Sequence, residues 1–221
     1  MKQEIYLAVF TSFFPLLSFL YLKFRKFRTH NLIFVFISFS LFIDSCNCYL
    51  SDRRINNLFL INFYDYAAIF LEISFLISTA KFSKTFRRIS WVVIVLYWIA
   101  HAVFNYHNGF LVTSAALSFI LSFVVCTFAA IAALRILNDK LEEFNKLKFL
   151  LIPIFGFFVF EASCLIPVCT VNLILTKEED AFLSDLYNHV IVIGTILRNL
   201  LFTIYFVIER NNQRLSSNLI H

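Results

Sequence analysis

Seven apolar stretches, separated by short and mostly basic connections, run along the chain at 5–22, 32–50, 58–80, 89–104, 110–134, 149–174 and 186–208. A helix rises about 1.5 Å per residue and a bilayer's hydrocarbon core is about 30 Å thick, so roughly 20 apolar residues reach across it. Short segments alternating with period two, as in a transmembrane barrel, do not appear, and backbone groups inside a bilayer must be satisfied within the protein. The pattern therefore predicts an all-α fold: one polytopic membrane domain over residues 1–221, a seven-transmembrane-helix bundle. The fourth stretch is the shortest. The first has no small-x-small cleavage site and continues into KFRKFR, which reads as an uncleaved first helix.

Composition supports a membrane protein and excludes a large soluble domain. With 60% hydrophobic residues and a mean hydropathy of +0.80, the 221 residues carry more apolar surface than a soluble domain of that size can bury. Thirty phenylalanines beside three glycines make the side chains bulky. The net charge of +5 reflects basic residues placed between the apolar stretches, so nucleic acid is not an expected partner; the lipid bilayer is. Of nineteen Lys and Arg, fourteen fall in one set of alternate connections and four in the other, and Arg198 lies within a stretch. Cytoplasmic loops are the basic ones, so the N-terminus is expected outside and the C-terminus in the cytoplasm, in the cell membrane. The loops and the tail after the last stretch are too short for a catalytic or DNA-binding domain. Cys46, Cys48, Cys126, Cys164 and Cys169 lack metal-ligand pairing and read as packing residues.

Ionisable groups inside a membrane cost about 2.5–3.5 kcal/mol each and mark candidate sites. Asp44, Asp65, Glu72, Glu161 and Arg198 qualify, with Asn199 beside the arginine. Glu72, Glu161 and Arg198 fall at similar depth, so Arg198 is expected to pair with Glu161 first and Glu72 second. That pair either fixes helix register or handles a ligand or proton. The surplus acids predict a polar outer cavity between the second, third, sixth and seventh stretches, lined by Asp44, Asp65 and Glu72, with Asn47, Asn62, Tyr64, Tyr66, Asn188 and His189 at its mouth. Ser114, Ser118, Ser122, Cys126 and Ala130 recur every four residues and read as a close-packing stripe. Pro15, Pro153 and Pro167 should bend their helices or start turns. Trp91, Tyr97, Trp98 and Tyr106 read partly as interfacial anchors, and His101 and His107 lack a third metal ligand.

A retinal Schiff base would need a lysine in the last stretch, where position 198 is arginine, so a rhodopsin is excluded. Pro15 with Tyr21, Asp44, the Asn62-x-Tyr64 opening with Glu72 beyond it, and the Leu197-Arg198-Asn199-Leu200-Leu201 centre of the last stretch carry a resemblance that covers nearly the whole chain. On these the sequence resembles a loosely defined group of small seven-helix integral membrane proteins common in Bacteroidota. The resemblance implies a sensor-like membrane module acting beside a signalling partner, and implies no reaction and no cofactor. The expected function is thus a non-enzymatic, receptor-like or sensor-like membrane protein. Two other classes stay open: a small proton- or cation-coupled transporter or channel, and an intramembrane lipid hydrolase in which Asp44 and Asp65 converge on one water.

Overall fold

The computed structural model describes residues 2–21, 28–53, 55–80, 82–112, 114–138, 148–174 and 180–218, with side chains for all of these except 2–5, 28, 29, 115, 167–174, 180–188 and 213–218. Pro167, Cys169 and Asn188 thus lie outside the described side chains. The elements are α1 (Lys2–Thr11), α2 (Phe13–Leu20), α3 (Arg28–Asp52), α4 (Leu58–Thr79), α5 (Lys84–Asn108), α6 (Ala115–Leu137), a single 3-10 turn (Lys148–Leu150), α7 (Leu151–Ile174) and α8 (Asp180–Asn218). Six of them, α3 to α8, are long and apolar enough to cross a membrane. The chain is an all-α, multi-pass bundle, in keeping with the hydropathy pattern.

Several boundaries differ from the sequence expectation, each for a local reason. The first stretch is not one continuous helix. Pro15 has no N–H for the Thr11 carbonyl and its ring crowds that carbonyl. The helix breaks at Ser12, and the apolar part, Tyr6–Leu20, is shorter than the spanning helices. The fourth stretch extends well beyond 89–104 into α5, 25 residues long. Ser83 starts it by accepting the Phe86 N–H at 3.2 Å, and Gly109, at φ 82°, ends it. The fifth stretch starts later than expected because Ser114 caps α6, its Oγ accepting the Leu117 N–H at 3.3 Å. The last stretch is part of a 39-residue helix, about 58 Å long, which outreaches the hydrocarbon core.

In the centre, Phe157 of α7 meets Phe36 of α3 and Phe202 of α8, both with ring centroids 5.0 Å away, and Phe75 of α4 at 5.2 Å. Helix α8 packs along α7 and along both pieces of the broken first segment, while α5 lies at the periphery against α4 and α6. Large apolar side chains such as Phe42, Phe63, Leu96 and Leu134 point outward, as lipid-facing positions do. At the end of the bundle where α3 begins, His30 Nε2 lies 3.9 Å from Glu209 Oε1, both buried, and ties α3 to α8.

Candidate functional site

Successive helical residues point about 100° apart, so Arg198 and Asn199 of α8 face different neighbours. Arg198 is 1% exposed. Its Nη2 donates to Ser40 Oγ at 3.3 Å, and its guanidinium carbon lies 4.2 Å from the centre of the Phe160 ring and 5.2 Å from that of Phe36. Aromatic faces attract a cation most strongly where water is excluded. The expected Arg198–Glu161 pair is not formed. Among the described residues neither Glu161 nor Glu72 comes within ion-pair distance of Arg198, whose Nε and Nη1 meet no hydrogen-bond partner. Equal depth did not bring the groups into contact, because the guanidinium turns toward α3 instead.

What it meets on α3 is built by a four-residue repeat. Phe36, Ser40 and Asp44 fall on one face. Ser40 accepts from Arg198 and donates to Asp44 Oδ2 at 3.5 Å, so the arginine and Asp44 are linked through one hydroxyl. Asp44 in turn lies on the wall of a cavity of about 390 Å³ whose polar lining includes Tyr6, Asn47, Asp52, Asn57 and Thr195. The cavity opens between α1, the last turns of α3, the start of α4 and α8. Tyr6 spans its rim, donating to Asp52 Oδ2 at 2.6 Å. Asp44 and Asp52 give the described lining two acids and no base.

A polar cavity was expected from the surplus acids, but its walls differ from the expectation. Asp44 and Asn47 line it, whereas Asp65, Glu72, Asn62, Tyr64 and Tyr66 do not. Asp65 turns to α5 and α6: Ser118 Oγ donates to its Oδ2 at 3.2 Å, and His101 Nε2 lies 3.9 Å from the same oxygen. Asn105 joins His101 Nδ1 at 3.0 Å. Asn62 closes the loop above, its Nδ2 donating to the carbonyls of Phe110 and Val112 at 2.8 and 3.0 Å. Asp44 and Asp65 thus serve separate clusters, and the convergence that an intramembrane hydrolase would need is not there. Glu72, fully buried, faces Glu161 across the contact between α4 and α7, with Ser122 of α6 beside Glu161.

Asn199 reaches the break in the first segment. Its Nδ2 donates to Ser12 Oγ at 2.9 Å and Thr11 Oγ1 at 3.1 Å, and both hydroxyls donate to the Ala8 carbonyl. Asn199 therefore holds α1 and α2 onto α8 at the place where Pro15 disrupts their own ladder. Replacing Asn199 by leucine should cost about 0.6–1.7 kcal/mol, the range for hydrogen bonds between membrane helices. Unfolding in mixed micelles would show it, and the same loss in a Thr11→Ala, Ser12→Ala background would contradict this assignment.

Ser40, Thr11 and Ser12 complete the site and have no place among the sequence candidates, whereas Ser118, Ser122 and His101 join it in roles beyond the packing and metal-binding ones weighed from their sequence pattern. The α6 stripe packs against α7 and also carries polar contacts: Ser118 donates to Asp65, Ser122 lies beside Glu161, and Cys126 Sγ approaches the Phe158 carbonyl at 3.8 Å, while Ala130 is exposed. Ser40 had a signal, since a hydroxyl four residues before an acid on one helix can hydrogen-bond to it. Trp98 is an internal donor, Nε1 to the Tyr66 carbonyl at 2.9 Å, and Tyr97 is buried, whereas Trp91 and Tyr106 are exposed as anchors would be. No protein-family model, curated protein or solved structure matches this chain.

Proposed function

We propose that this is a non-enzymatic, sensor-like membrane protein whose cavity takes a small cationic ligand and whose output is the position of α8, read by a partner protein. The observation that carries this is the link from Asp44 on the cavity wall through Ser40 to Arg198 on α8. A cation bound beside Asp44 competes with Arg198 for the carboxylate's charge. The hydroxyl bridge then loses its purpose, and α8 loses one of the contacts that fix its rotation. Since α8 outreaches the hydrocarbon core, a change in its packing can be read beyond the membrane surface. The orientation by basic loops would put the cavity outside and the far end of α8 in the cytoplasm.

The test is thermal unfolding of protein in lipid nanodiscs with tetramethylammonium, spermidine and an uncharged isostere at constant ionic strength. At 100 times the dissociation constant a ligand stabilises by about 2.7 kcal/mol. One of the two cations should raise the midpoint, and Asp44→Asn should abolish the rise. Equal stabilisation of Asp44→Asn would contradict the site. Recovery of a lone monomer from several mild detergents after crosslinking would contradict the partner.

A second reading, a small proton- or cation-coupled transporter or channel, is favoured by one observation, the contact of Glu72 with Glu161 deep in the bundle. Proteoliposome flux that follows pH and disappears in Glu72→Gln would select it over the first.

A further inference from the structure

Glu72 is the most completely enclosed acid in the described bundle, at 0% exposure, and neither Oε1 nor Oε2 meets a hydrogen-bond partner. The group it faces is another carboxyl, Glu161, itself 2% exposed. Two carboxylates are acceptors only, so neither can satisfy the other, and a buried acceptor without a donor is costly. Arg198 does not supply the donor: its spare Nε and Nη1 stay beyond ion-pair distance and its Nη2 serves Ser40. Ser122 of α6 lies beside Glu161. Among the described residues no group of three or more His, Cys, Asp or Glu is placed to hold a metal ion.

We propose that Glu72 and Glu161 form a proton-binding site, one proton shared between the two carboxyls as an O–H···O bond across the α4–α7 contact. That proton provides the donor that Glu72 lacks and removes one of two like charges from a dry site. The groups facing the pair are Arg198 from α8, Asp65 and Tyr64 from α4, Tyr97 from α5, Ser122 and Cys126 from α6, and Cys164 from α7. Arg198 is the one base among them. Release of the proton leaves two carboxylates, and the two unused donors of Arg198 are drawn to them and away from Ser40, which frees Asp44. The proton site and the cavity are in this way two ends of one arginine's choice of partner. The site needs neither transport nor a cavity ligand, so flux and ligand measurements can fail without touching it.

Infrared spectroscopy of the full chain in lipid nanodiscs at neutral pH, in H2O and D2O, reads the proton directly. The wild type should show a carboxylic acid C=O stretch that shifts on deuteration, and one component of it should vanish in both Glu72→Gln and Glu161→Gln while persisting in Asp44→Asn. Either glutamine variant alone suffices if the other does not fold. Absence of the band in the wild type, its survival in a folded glutamine variant, or its loss in Asp44→Asn would overturn the proposal.

Discussion

Replacing Arg198 by leucine is expected to lower stability by about 3–5 kcal/mol, the largest single effect in the bundle, because removing one member of a buried charged network strands the others. Three carboxyls surround this guanidinium. Asp44 is joined to it through Ser40, and Glu72 and Glu161 lie within reach of its charge. The leucine also gives up the stacking of a cation on Phe160 and Phe36. Arg198→Lys should fall between wild type and Arg198→Leu: it keeps the charge but loses the planar fork that reaches a hydroxyl while lying on a ring. Reversible unfolding in bicelles measures both. A leucine variant within about 0.5 kcal/mol of wild type, the scatter of an ordinary surface substitution, would mean that the buried charge is not structural.

Gly194→Ala is expected to be the second most damaging change, at about 1–3 kcal/mol, as overpacking of a filled interior usually is. A Cβ at position 194 would overlap Ser163 Oγ and come within 2.6 Å of Ser163 Cβ, with the Phe160 Cα at 3.7 Å. Helices α7 and α8 would have to separate, and Phe160 would move away from the guanidinium. Position 156 is more forgiving: a Cβ added there would meet Phe202 Cε1 at 2.9 Å, and a ring can rotate. The specific expectation is rescue: Ser163→Gly removes the obstructing atoms and should recover most of the loss of Gly194→Ala. Additive loss in the double variant would show that the two helices do not approach at this point.

The helices, their order and their membrane character were legible in the apolar stretches, and Pro15 foretold the break in the first. Depth was legible as well, since counting from the ends of the stretches places Arg198, Glu161 and Glu72 near one another. Direction was not. A period of 3.6 residues tells which positions share a face, but not which neighbour that face meets, and Arg198 turns toward α3 although α7 is adjacent in sequence. Small residues gave a similar ambiguity. The α6 serines have the spacing of a packing seam, and what makes Ser118 a donor is the presence of Asp65 on another helix. Conversely, Gly156 and Gly194, the two glycines within the helices, mark two places where α7 and α8 leave little or no room for a Cβ.

Asp44, through Ser40, is the carboxylate to which Arg198 answers. A double-mutant cycle in bicelles between Arg198→Leu and Asp44→Leu, run beside one between Arg198→Leu and Glu161→Leu, separates the two partners. Coupled residues in one network give interaction energies of about 0.5–3 kcal/mol. The structure predicts a coupling in that range for Asp44 that exceeds the one for Glu161. It also predicts that Ser40→Ala lowers the Asp44 coupling. A coupling near zero for Asp44 with a large one for Glu161 would restore the direct arginine–glutamate pair and contradict the path from cavity to helix.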